Sequence, residues 1–154
     1  KQFIPGVKKS FEEYYPKYDF TNHVKNSLSG ILNVSEGSRY DIFIEKISKG
    51  TVVGCFFPCI LDYSMAATIE QIKDLPKGLI LAGGYDICAV IAGSPSLLYR
   101  SDGYPPIIWL SGLSGEKEGV GYHFEAYGYN LTFNRRVYLN KISEYWCSGL
   151  IYIN

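Results

Sequence analysis

The chain has 154 residues, with 15 basic and 15 acidic side chains and a formal net charge of zero. It therefore offers no bulk electrostatic footprint for nucleic acid or an anionic membrane. Its 47% apolar and 19% charged residues exclude a disordered chain or a fibrous repeat and fit a single domain over residues 1–154.

Residues 1–7 read as an irregular lead-in. Phe11 to Phe20 is dense in Tyr and Phe and is interrupted by Pro16, which suits an edge strand or two short strands. Between Asn22 and Leu32 the apolar positions Val24, Leu28, Ile31 and Leu32 form one helical stripe, with Thr21 or Asn22 as cap and Asn33 as stop. After a loop over 34–39, Tyr40 to Lys46 alternates as a strand. Lys49-Gly50 then turns the chain into a second strand, Thr51 to Leu61, completing a hairpin. A polar crossing over 62–78 ends in the turn Leu75-Pro76-Lys77-Gly78.

Tyr85 to Ala92 is an apolar run, expected as a buried strand. Ser94-Pro95 opens a helix carrying Leu97, Leu98 and Tyr99, which Gly103, Pro105 and Pro106 must break. Ile107 to Leu113 is a second helical piece. Gly121–Tyr129 and Tyr145–Ile153 are long strands, with a shorter one at Arg136–Leu139. The order is strand, helix, strand, strand, taken twice, over about 11–61 and 79–153. Two such units predict an α+β fold: one curved antiparallel sheet carrying two helices, with a ligand cleft between the units.

The four cysteines, Cys55, Cys59, Cys88 and Cys147, sit in apolar runs at no zinc-binding spacing. They are expected as buried thiols of a reducing, cytoplasmic compartment, with no metal and no cofactor. The sequons at Asn33 and Asn130 are then chance matches. No apolar run reaches transmembrane length, and no signal peptide is visible. The opening residue is Lys1 rather than Met, so the expectation is a processed chain or a segment of a longer one.

Ala82-Gly83-Gly84-Tyr85-Asp86 has glycines but no lysine, and reads as a turn rather than a phosphate cradle. Leu110-Ser111-Gly112-Leu113-Ser114-Gly115 fails the Gly-x-Ser-x-Gly pattern of a nucleophile elbow. His23 reads as a surface histidine. By alternation, His123, Glu125, Tyr127 and Tyr129 share one strand face, and Tyr122 and Phe124 the other. That leaves two placements for Glu125. One is a solvated sheet face. The other is a concave face among tyrosines, where a carboxylate needs a hydrogen bond or a cation, and where aromatic rings suit an organic cation.

Residues 51–153 resemble the effector-binding domain shared by gyrase-inhibitor-like proteins and the C-terminal halves of multidrug-responsive regulators of the MerR and AraC classes. The matching pieces are Gly54-Cys55-Phe56-Phe57-Pro58, Leu75-Pro76-Lys77-Gly78, Tyr85 to Ala92 with Gly93-Ser94-Pro95, Trp109-Leu110, Phe124-Glu125-Ala126-Tyr127, and Glu144-Tyr145 to Ile153. Two features depart from the family: Pro105-Pro106 in its second helix, and the lack of a helix-turn-helix or coiled coil.

The resemblance implies an aromatic pocket for lipophilic, cationic small molecules, in the effector-sensing domain of a transcription regulator. The DNA-binding domain would then lie in a longer chain. Glu125 would form the pocket floor, Tyr127 its wall and Tyr145 a stacking surface, with Tyr85, Phe57 and Trp109 as further ligand contacts. Two alternatives remain: a gyrase-inhibitor-like hydrolase in which Glu125 activates water, and a stand-alone protein-interaction domain. Few other acid–base groups lie on the matched strands, which favours a binder over an enzyme.

Overall fold

The computed structural model describes residues 3–99, 107–137 and 143–154. It is an α+β fold with four helices and a mixed, mostly antiparallel open sheet among the described residues. The expected count of two helices is therefore too low.

Helix α1 (Phe3–Tyr14) replaces both the irregular lead-in and the start of the expected strand. Val7 and Phe11, one turn apart, are its buried residues, and Lys8–Glu12 and Lys9–Glu13 pair along it at 3.6 and 3.9 Å. Pro5 is tolerated because the first-turn N–H groups have no helical partner to lose.

Strand β1 (Phe20–Asn22) follows, but the helix expected from Asn22 does not form. Asn22 Oδ1 accepts from Val24 N–H at 2.9 Å, Ser27 Oγ accepts from Ser29 N–H at 3.3 Å, and Gly30 has φ 78°. Such local bonds compete with helical ones. The segment ends in the short strand β2 (Asn33–Val34).

Tyr40 to Lys46 belongs to helix α2 (Tyr40–Lys49), not to a strand. Tyr40 and Phe43 are buried, and Ile44 and Ile47 pack against the core. These positions, i, i+3, i+4 and i+7, are a helical stripe. The expected hairpin is therefore absent. Strand β3 (Gly54–Leu61) forms a sheet edge, with a bulge between Phe57 and Ile60 beside Pro58.

Within the expected polar crossing lies helix α3 (Met65–Asp74), whose cap Ser64 Oγ accepts from Ala67 N–H at 3.2 Å. Arg39, at φ 63°, donates to the carbonyls of Leu75, Pro76 and Leu79 at 3.2, 2.9 and 3.0 Å. These bonds help offset its left-handed backbone and tie the start of α2 to the end of α3.

After strand β4 (Leu79–Leu81) comes helix α4 (Gly84–Gly93), where a buried strand was expected. Beyond it Leu97 and Leu98 lie in turns rather than a helix. Gly103, Pro105 and Pro106, the expected helix breakers, lie outside the described residues. Ile107–Trp109 is strand β5, not a helical piece, so Trp109 sits on a strand rather than near a helix end.

Strand β6 (Leu113–Ser114) pairs with β2. The strands β7 (Val120–Tyr127), β8 (Asn130–Val137) and β9 (Trp146–Ile153) complete the sheet. The β8 hairpin strand covers Arg136–Val137, while residues 138 and 139 of the expected short strand lie outside the described residues. Gly128 supplies, at φ 61°, the left-handed residue that a two-residue hairpin needs between β7 and β8.

The sheet order is β1-β8-β7-β5-β9-β3, with β4 also paired to β9. β1–β8 and β5–β9 are parallel and the other pairs antiparallel, so the sheet is not purely antiparallel. Alternation then sorts the side chains. Ile108, Phe124, Phe133 and Ile151 join the main core with residues of α1, α2 and α4. On the opposite face, Met65 of α3 meets Ile107, Trp109 and Trp146, while Ile72 meets Leu81 and Leu150.

Candidate functional sites on the two sheet faces

On the α3 face, β7 sets His123 opposite Trp109 of β5 and opposite Asn134 of β8. His123 is fully buried, its ring 4.8 Å from that of Trp109, which in turn lies 4.8 Å from Trp146. Glu125, two residues on, points from the same face. Its Oε2 lies 3.4 Å from His123 Nε2 and 3.6 Å from Arg136 Nη2 of β8.

Burial, with the nearby Arg136 charge, lowers the pKa of His123 to about 4. At neutral pH the ring is therefore uncharged. Assigning its proton to Nε2 lets it donate to Glu125, and the ion pair is made with Arg136. The Glu125 side chain retains 21% of its accessible surface. It is thus a rim carboxylate with an aromatic neighbourhood on one side and a half-exposed guanidinium on the other.

On the opposite face a cavity of about 500 Å³ lies between α1, the segment 22–34 and α4. Phe3, Leu28, Leu32, Tyr85, Leu113 and Phe133 are among its lining residues, and none of its described lining residues is charged. The floor exists because Tyr40 anchors the start of α4. Its hydroxyl donates to Asp86 Oδ1 at 2.6 Å and accepts from Tyr85 N–H at 3.1 Å, while Asp86 also accepts from Gly83 N–H at 2.9 Å.

Burial raises the pKa of Asp86 and, together with Asp86, that of Tyr40. A Cβ at Gly112 would come within 2.6 Å of Leu81 O and 2.9 Å of the Tyr40 ring, so glycine is required there. A smaller recess of about 210 Å³ adjoins the cavity, and both are lined by Val24, Asn26 and Leu28.

The six expected ligand contacts do not form one site. Glu125 and Trp109 belong to the α3 face. Tyr127 is on the same strand face as Glu125 but is 76% exposed. Tyr145 is 37% exposed, and its carbonyl accepts from Ile107 N–H at 2.7 Å. Phe57 is exposed on the edge strand β3. Tyr85 lines the cavity across the sheet, its ring edge-on to Phe3 at 4.9 Å. Tyr129 lies in the β7–β8 turn and stacks on Tyr18 and Tyr99 at 5.0 and 5.7 Å.

The residues not anticipated are the Arg136 partner of Glu125 and the walls of the cavity. The signal for Arg136 was present in the alternation of β8, whose register to β7 the sequence alone does not specify. The cysteines divide: Cys55 and Cys59 are exposed, contrary to the expected burial, whereas Cys88 and Cys147 are buried. Burial, with a contribution from Asp86, pushes the Cys88 thiol up to about 12, which makes it an inert packing group. Among the described residues no helix is long and apolar enough to cross a membrane, and no group of His, Cys, Asp and Glu is arranged to hold a metal ion. No protein-family model, curated protein or solved structure matches the chain.

Proposed function

We propose that this chain is a small-molecule-binding module that takes up lipophilic ligands, as the effector-sensing domain of a transcription regulator does. The observation that carries the reading is the cavity of about 500 Å³ with its uncharged, largely apolar lining. That volume falls within the range of small-molecule sites, and burial of a lipophilic ligand in such a cavity is favourable. The proposal includes two units with a ligand cleft between them. What supports it is the origin of the cavity walls: residues 22–44 lie in the first unit and 84–133 in the second, with Phe3, Ile4 and Pro5 contributed from outside both.

Preference for a cation is a second reading, resting on Glu125 beside the buried Trp109 and His123. An organic cation there would have to displace Arg136, which already supplies the counter-charge. The neutral His123 beside the same carboxylate is what supports a water-activating role within that reading.

The two are separated by filling the cavity. Leu32→Trp places an indole in the volume without touching a strand ladder. It should abolish binding of a neutral lipophilic dye followed by fluorescence, with the circular dichroism unchanged. Binding of the neutral dye that survives both Leu32→Trp and Leu113→Phe in the folded protein would exclude the cavity as the site.

A further inference from the structure

We infer that the ligand of this cavity is a lipophilic anion: an apolar body carrying a carboxylate that sits in the adjoining recess. The inference rests on the small-molecule reading above and adds the charge of the ligand. Three side chains in the recess bear or can bear positive charge: His23, Lys25 and Arg135. Glu116 is its one carboxylate. Neither Lys25 nor Arg135 forms an ion pair among the described residues, whereas Arg136, next in sequence, points to the other face and is taken by Glu125.

The backbone explains why the basic groups gather at the end of an apolar volume. Phe133 and Arg135 are alternate residues of β8 and share a face, so the wall of the cavity passes directly into the recess. Asn22 of β1 pairs with Phe133, and His23 N–H donates to Phe133 O at 2.9 Å. That bond carries the chain from the cavity at Asn22 to the recess at His23. Tyr122, opposite Arg135 in register, also lines the recess.

An apolar body buried in the cavity would therefore carry its head group to within reach of Arg135 and Lys25. A guanidinium can hold a carboxylate through two parallel hydrogen bonds. A cationic head at that position would meet Lys25 and Arg135 against the single carboxylate of Glu116. The remaining polar groups of the cavity, Asn22, Asn26, Ser27 and Ser29, are neutral and do not reverse that preference.

The test uses three probes of matched body: naphthylacetate, naphthylethanol and naphthylmethylammonium, titrated into the full chain by calorimetry at low and high salt. Naphthylacetate should bind most tightly, and only its affinity should fall with salt. Arg135→Gln and Lys25→Gln should each weaken naphthylacetate by about threefold to tenfold and leave naphthylethanol within about twofold, as expected for partly solvated charges. Leu32→Trp should abolish both.

If the two charge variants leave naphthylacetate unchanged while Leu32→Trp removes all three probes, the lipophilic cavity stands and the anionic ligand is refuted. A preference for naphthylmethylammonium that is lost in Glu125→Gln overturns the inference and moves the site to the other face. If no probe binds the wild-type chain, the anion inference and the cavity reading both fail.

Discussion

The two faces of the sheet solve the same burial problem with different leftovers. Under α1, α2 and α4 the side chains meeting the sheet are apolar, and what remains is volume: a cavity with neutral walls. Under α3 the cover is partial. Met65 and Ile72 close over β4, β5 and β9, and what remains beyond them is a set of polar groups in which Glu125 meets both His123 Nε2 and Arg136, while the buried His123 Nδ1 has no partner among the described residues. Volume without charge invites an apolar body. Charge already paired at a rim gains little from one. The contrast teaches that the carboxylate conspicuous in the sequence and the space able to hold a ligand need not be on the same side of a strand.

The sharpest way to break this contrast is to cut the residue between the two polar ones. Phe124 is fully buried in the main core, between His123 and Glu125 in sequence but on the opposite face. Phe124→Ala should cost about 3–5 kcal/mol of stability, the range for a deleted core aromatic. Urea unfolding measures it. A loss below 1 kcal/mol would mean that the faces of β7 are assigned the wrong way round.

The second effect is a pH dependence centred on His123. Its folded pKa, about 4, lies below its ordinary value of 6.5. Between these values the unfolded chain binds the proton that the folded chain refuses. The contribution is present in full above pH 6.5 and is lost as pH falls to about 4. The loss amounts to about 3 kcal/mol. Asp86, across the sheet, has the opposite sign: its raised pKa favours folding at low pH and that contribution is lost as pH rises through the folded pKa. Urea midpoints of His123→Asn should therefore be flatter from pH 4 to 6.5 than those of the wild type. Parallel curves would show that His123 is not the buried titrating group.

These alternating partners mark what was legible in the sequence. β7 and β9 were readable, β7 because polar and apolar residues alternate, β9 because it is a bounded apolar run that a sheet buries on both sides. β3 was readable as an apolar run cut by Pro58. The helices were not. Past Asp86, the segment up to Ala92 is apolar on all sides, and a continuous apolar run looks the same whether it is a buried strand or a buried helix. The arbiter was Asp86, three residues after Gly83, a helix-start arrangement read instead as a plain turn. In α2 the alternation around Ile42, Phe43 and Ile44 suggested a strand, yet Tyr40, Phe43, Ile44 and Ile47 also fit a helical stripe, and packing chose the helix. The shared face of His123 and Glu125 was legible, but Arg136 and the cavity depend on long-range register that no local pattern carries.

A smaller effect tests the anchor of the cavity floor. Asp86→Asn keeps the shape, and an oxygen in place of Oδ1 can still accept from the Tyr40 hydroxyl and Gly83 N–H, but an NH2 donor replaces Oδ2, the second acceptor of Gly83 N–H. It should cost about 1–2 kcal/mol and loosen the start of α4, so that hydrogen exchange at Tyr85 quickens before the rest of the core. Unchanged exchange at Tyr85 would separate the Asp86 network from the cavity it is argued to support.

The smallest effect is expected at the residue most conspicuous in the sequence. Glu125→Gln removes the ion pair with Arg136 but leaves an oxygen for His123. With Arg136 half in solvent, the pair is screened and should contribute less than about 1 kcal/mol. Stability at neutral pH should scarcely change. Ligand binding sharpens the result, because the cavity lies on the far face. A neutral lipophilic probe should bind the variant with unaltered affinity, whereas an organic cation housed against Glu125 should lose affinity. Arg136→Gln reverses the logic: it frees the carboxylate, so a cation site there should become tighter. It also removes the Arg136 charge, which adds to burial in depressing the His123 pKa, so the folded value rises toward the ordinary one and less stability is lost as pH falls. If Glu125→Gln weakens the neutral probe as much as the cation, the two faces communicate, and the separation of cavity from carboxylate fails.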